Sequence, residues 1–199
     1  LIAGTILDAK RNQLEYTYLP DYLFETIKNS KIKRNNKLIN LVKREEILLD
    51  FKENTTSLSV LSPLTVFTLL LLIVLFITYK DIKSNKRTKS LDFIIFFITG
   101  IIGLLLTYLW LFSSHKTAPN NFNVLWSFLP NLIISFLLLK VVTKKWIQKY
   151  IKILLIFLLI LPILWLLGIQ MFPTAVIPLL VLLFVRYLFL YRYLLTFVK

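Results

Sequence analysis

Cysteine is absent from all 199 residues, which removes disulfides, thiolate catalysis, cysteine lipidation and thiolate metal sites together. A single histidine leaves no multi-histidine metal centre within the chain. No P-loop, dinucleotide fingerprint, heptad array or internal repeat is present. No cofactor, metal ligand or catalytic residue is therefore assigned from composition. Acidic side chains are scarce, 10 against 24 Lys and Arg, for a net charge of +14. That excess alone would suit nucleic acid, but residues 1–61 are nearly balanced and the surplus sits in loops beside long apolar runs. A cationic stripe beside spanning helices attracts anionic headgroups, at about 1 kcal/mol per Lys or Arg. Phospholipid is the expected partner, not nucleic acid.

Five apolar runs are present: Pro63–Tyr79, Leu91–Phe112, Phe122–Leu139, Tyr150–Leu167 and Pro173–Tyr191. Each approaches the ~20 residues that cross a hydrocarbon core of ~30 Å. Every backbone group in a lipid-exposed span must be satisfied internally, so the runs are expected to be helices. The fold class is an all-α membrane protein of about five transmembrane helices, preceded by a short α+β extracytoplasmic segment. The expected division is residues 1–61 and residues 62–199.

The connecting loops alternate in charge. Lys80, Lys83, Lys86, Arg87 and Lys89 follow the first run. Lys140, Lys144, Lys145, Lys149 and Lys152 lie between the third and fourth, and Arg186, Arg192 and Lys199 belong to the fifth. The two intervening loops hold only Lys116 between them. Short loops rich in Lys and Arg stay in the cytoplasm. Residues 1–61 are thus expected outside and the C-terminus inside. The chain does not begin with Met and carries no recognisable signal peptide. An exported segment ahead of the first span then implies the C-terminal part of a longer protein.

Within the first 61 residues, Tyr18–Ser30 reads as a helix, with Pro20 in its first turn and Leu19, Tyr22, Leu23 and Ile27 on one face. Leu38–Val42 and Ile47–Phe51 read as strands flanking Lys43–Glu46. So small a segment rarely buries enough to fold alone, and is expected to complete a larger domain or pack on a partner. Asn54-Thr55-Thr56 matches a glycosylation sequon but reads as a polar linker into the first helix.

Charged residues inside spans are functional candidates by default. Asp92 sits in the first turn of its helix, where a carboxylate favours the helix N-terminus. Lys152 and Arg186 lie within reach of the cytosolic interface and can snorkel. No pair at mid-bilayer depth is evident, which argues against a proton-driven transporter or an ion channel. Pro130, Pro162 and Pro178 fall inside spans and should bend them. Such bends either open a groove for a lipid chain or merely shape packing, and no polar lining is evident at them. Gly100 and Gly103 are three apart, a poor match to the close-crossing motif. Trp110, Trp126, Trp146 and Trp165 fit an interfacial aromatic belt.

The outward loop Ser113–Trp126 concentrates polar chemistry. His115 and Lys116 can face a phosphate, with Thr117, Asn121, Asn123 and Trp126 completing a lipid or substrate contact. Equally, Asn120 or Asn121 can cap the third span while Trp126 anchors it and His115 bonds the loop backbone.

Gly4-Thr5-Ile6-Leu7-Asp8, followed by Tyr18-Leu19-Pro20-Asp21-Tyr22-Leu23, resembles the end of the periplasmic domain of the Lnb-type lipoprotein N-acyltransferase family. The pattern His115, Thr117, Asn121, Asn123, Leu125-Trp126 and Pro130 is similar to that family's loop between membrane helices. Lys116 stands where a proline is frequent, and Phe128-Leu129 lengthens the gap before Pro130. The resemblance implies a diderm inner-membrane protein linked to acyl transfer from phospholipid onto the amine of a lipoprotein. Its nucleophile and base would precede Leu1, so this chain would be a membrane platform with lipoproteins as further partners. A rival is a non-catalytic subunit of an envelope assembly for secretion, motility or transport, whose partners are other membrane-protein subunits.

Overall fold

The computed structural model describes residues 20–34, 36–46, 61–112, 120–140 and 145–197. The chain divides into two compact units, of which the smaller is Ala9–Ser57.

In the smaller unit, helix α1 is Pro20–Asn29, inside the expected Tyr18–Ser30. Pro20 fills the first position, where its missing N–H costs no helical bond. Two strands follow, β1 (Lys31–Arg34) and β2 (Lys37–Asn40), paired antiparallel with Ile32 opposite Ile39. The expected partner of the 38–42 strand was Ile47–Phe51, which lies outside the described residues. The structure instead pairs it backwards with 31–34. The signal passed over is Asn35-Asn36: Asn36 takes φ 61°, and two-residue hairpin loops need positive φ that Asn tolerates. Leu41 N donates to Ser30 O at 2.9 Å and closes the hairpin base. Lys28 pairs with Glu45 at 3.0 Å, and that hydrogen bond and ion pair raise the Lys28 pKa.

The larger unit holds four helices long and apolar enough to cross a membrane: α2 (Pro63–Ser84), α3 (Lys89–Phe112), α5 (Lys145–Leu166) and α6 (Val176–Phe197). Ser62 caps α2, its Oγ accepting from Thr65 N at 3.2 Å, and Pro63 occupies the first helical position. At the other end Asn85 turns the chain at φ 51°. Helix α2 packs on α6, and α6 on α5.

The third apolar run is not one continuous helix. A 3-10 turn spans Phe122–Leu125, the chain then bends through Trp126–Pro130, and α4 covers only Asn131–Leu138. Eight residues rise ~12 Å, well short of the hydrocarbon core. Non-helical backbone at such a place is tolerated when it is buried in protein, and here α3 and α5 cover it. Ser127 N reaches Asn123 O at 3.2 Å and Asn131 N reaches Phe128 O at 2.9 Å, so the bend keeps its hydrogen bonds.

Two glycines on α3 make that burial geometrically feasible. A Cβ on Gly103 would lie 1.8 Å from Ser127 O, and one on Gly100 would lie 2.3 Å from Leu132 N. Gly100 lets the first turn of α4 approach α3, and Gly103 admits the bend ahead of it. The prolines also resolve differently from expectation. Pro130 immediately precedes α4, and Pro178 lies in the first turn of α6, where no helical bond is lost. Only Pro162 is interior to a helix.

Candidate functional site

Three buried polar layers thread the larger unit, each joining helices remote in sequence. Polar groups in an apolar surround are costly unless bonded, so their partners define the architecture.

The first layer surrounds the broken segment. Asn121 and Asn123 are 1% exposed and Trp126 is 2% exposed. Asn121 Oδ1 accepts from Asn123 N at 3.0 Å, from Asn123 Nδ2 at 2.8 Å and from Gln170 Nε2 at 3.2 Å. Trp126 Nε1 donates to Asn123 Oδ1 at 2.8 Å, and Phe122 N donates to Gln170 Oε1 at 2.8 Å. Asn121 is thus the cap of the 3-10 turn, and Gln170, from the loop ahead of α6, fastens it. Trp126 is a core residue rather than an interfacial anchor. His115, Lys116 and Thr117 lie outside the described residues. The structure therefore brings Asn121, Asn123 and Trp126 together, adds Gln170 and Ser127, and turns all five inward.

The second layer sits at the Pro130 bend. Asn131 Nδ2 donates to Thr99 Oγ1 at 3.0 Å, and the Tyr150 hydroxyl donates to Asn131 Oδ1. Tyr187, fully buried on α6, packs its ring against Phe96 at 5.0 Å and a 49° tilt. Its hydroxyl approaches Thr99 and Asn131 without reaching hydrogen-bond geometry. The bend has a polar lining after all.

The third layer is ionic. Arg186 is 0% exposed at the middle of α6. Its Nε donates to Asp92 Oδ1 at 2.6 Å, and its Nη1 lies 2.9 Å from Asp81 Oδ2. Nη1 also meets Thr78 Oγ1 at 3.1 Å, and Nη2 meets Thr88 O at 3.3 Å. Asp81 is held further by Thr88, through its N at 3.0 Å and its Oγ1 at 2.6 Å. Arg87 Nη2 donates to Leu138 O at 2.9 Å, tying the α2–α3 turn to the end of α4. Arg87 Nη1 faces Asp92 Oδ2 at 3.5 Å, both buried and neither in hydrogen-bond geometry.

This overturns the expectation that Arg186 snorkels: its guanidinium is buried in a charge set formed between the last turn of α2 and the first turn of α3. Snorkelling requires a clear path to water, and α2 and α3 close that path while presenting two carboxylates. Asp92 does occupy the first turn of α3, but its main partner is a guanidinium 94 residues away. Lys152 is exposed. The ionic layer also joins the α2–α3 turn, the end of α4 and the second half of α6. The three basic segments consequently share one end of the bundle.

Sequence reasoning missed Asp81, Arg87, Thr78, Thr88, Thr99, Asn131, Tyr150 and Gln170. The available signal was a polar residue interrupting an apolar run, as at Thr78, Asn131 and Gln170. Among the described residues no three His, Cys, Asp or Glu side chains converge as a metal site would need. The three layers brace helices remote in sequence against one another.

Four long apolar helices around a broken fifth segment define a multi-pass membrane protein. The family described as the Lnb transmembrane domain matches residues 53–196, and the chain belongs to that family. No curated protein and no solved structure matches the chain.

Proposed function

We propose that this chain is the membrane-anchoring and lipid-presenting portion of an Lnb-like protein serving bacterial lipoprotein N-acylation. In this reading it lies in the inner membrane with residues 1–61 periplasmic and the C-terminus cytoplasmic. The acyl-transfer groups belong to residues outside these 199, and the partners are phospholipid and lipoprotein. The observation that carries the reading is the family match across all the spanning helices. Clustering of the basic segments at one end supports the orientation.

An apolar groove of about 390 Å³ supports lipid presentation. Thr107, Trp110 and Leu111 of α3 form one wall, and Val124, Phe128 and Leu129 of the broken segment form the other. Such a groove suits an acyl chain, while His115, Lys116 and Thr117 supply headgroup contacts. Asn121, Asn123 and Trp126 hold the 3-10 turn that follows that loop rigid.

The test uses His115→Ala combined with Lys116→Ala in the intact protein, reading lipoprotein N-acylation from the mass of the released lipopeptides. At least a tenfold fall at unchanged protein abundance is expected. Normal acylation at normal abundance would remove the loop from any substrate role.

A further inference from the structure

The turn joining α2 to α3 borders an open pocket of about 820 Å³. Its floor is apolar, formed by Phe76 and Ile77, and its rim carries Lys80, Lys83, Lys86 and Arg87. The carboxylate that also borders it, Asp81, is already consumed. Arg186 and Thr88 together contact both of its oxygens. Counting formal charge, Arg186 and Arg87 offset Asp81 and Asp92 within the ionic layer, so that layer is neutral. Lys80, Lys83 and Lys86 are left over, exposed, and without an ion pair among the described residues.

Lys80 is not splayed into bulk solvent. Its Nζ lies 5.7 Å over the Phe76 ring, a cation–π contact that holds the charge at the pocket mouth. Phe76, Lys80 and Lys83 fall at i, i+4 and i+7, one face of α2. Apolar below and cationic above, in that order along a spanning helix, is the chemistry of a phospholipid: acyl chain first, headgroup phosphate at the boundary. The turn itself is rigid, because Arg87 is fastened to Leu138 O and Asp81 to Thr88 N.

We infer that this pocket is a binding site for one anionic phospholipid, its headgroup phosphate between Lys80, Lys83 and Lys86 and an acyl chain along Phe76 and Ile77. The site is independent of the outer loop, at the opposite end of α3.

Native mass spectrometry of the intact protein, purified with a phosphatidylglycerol and phosphatidylcholine mixture, reads the preference directly. The wild type should retain one phosphatidylglycerol at least tenfold over phosphatidylcholine. The triple variant K80Q/K83Q/K86Q should lose that preference while keeping its melting temperature in phosphatidylcholine alone. Removing the same charge from α5, with K145Q/K149Q/K152Q, should leave it intact. Equal loss in both variants would mean general surface attraction and overturn the site. So would an unchanged preference in the triple variant. Inorganic phosphate displacing the lipid at millimolar concentration would show a free-anion site instead and refute the lipid assignment.

Discussion

Arg186→Met tests whether the ionic layer holds the helices together. The substitution removes a guanidinium bonded to Asp92 at 2.6 Å and Asp81 at 2.9 Å, with Thr78 and Thr88 O as further partners. Methionine fills comparable volume, so the loss is electrostatic rather than a cavity. Breaking a buried pair from one side costs about 3–5 kcal/mol, because a charge is stranded without compensation. Here two carboxylates are stranded, and Arg87 reaches only one of them, at 3.5 Å. The variant should therefore lose about 4 kcal/mol by that same principle. Unfolding in mixed micelles, followed by tryptophan fluorescence, measures it. Replacing the carboxylates as well, in R186M/D81N/D92N, should recover more than half of the loss, since neutral replacements of a buried ion set are often tolerated. A single-variant cost below about 1 kcal/mol, or a triple variant no better than the single, would refute the view that these charges stabilise one another.

Gly103→Ala should be among the most damaging small substitutions, costing upwards of about 3 kcal/mol by overpacking, because the new methyl meets Ser127 backbone rather than a movable side chain. Folded yield in detergent, compared with alanine placed at exposed Leu104, checks this. Gln170→Leu should cost about 1–3 kcal/mol, since Phe122 N and Asn121 Oδ1 lose a buried partner. A red-shifted Trp126 emission should accompany it. Tyr187→Phe should change stability by less than about 1 kcal/mol, because its hydroxyl forfeits no hydrogen bond. Thermal unfolding would expose a larger effect.

The sequence by itself determined the material of this protein. Run length and apolarity located α2, α3, α5 and α6 to within about six residues at either end, since crossing a bilayer is a one-dimensional constraint written in consecutive side chains. Charge likewise marked the basic segments. The Asn-Asn pair ahead of β2 is a turn signal legible in the sequence, and Asn36 takes the positive φ it permits. Tertiary structure alone decided the pairings. Asp92 reads as a helix-end carboxylate until α6 brings Arg186 against it, and Gly100 and Gly103 read as a failed crossing motif until the 127–132 backbone enters. The third run has the composition of a span, but Asn121 and the Phe122 N–H bond a distant Gln170, and that opportunity breaks the helix. Periodicity reports which residues avoid water; it carries no record of which buried polar group will satisfy another, because that depends on the order in which helices pack in space.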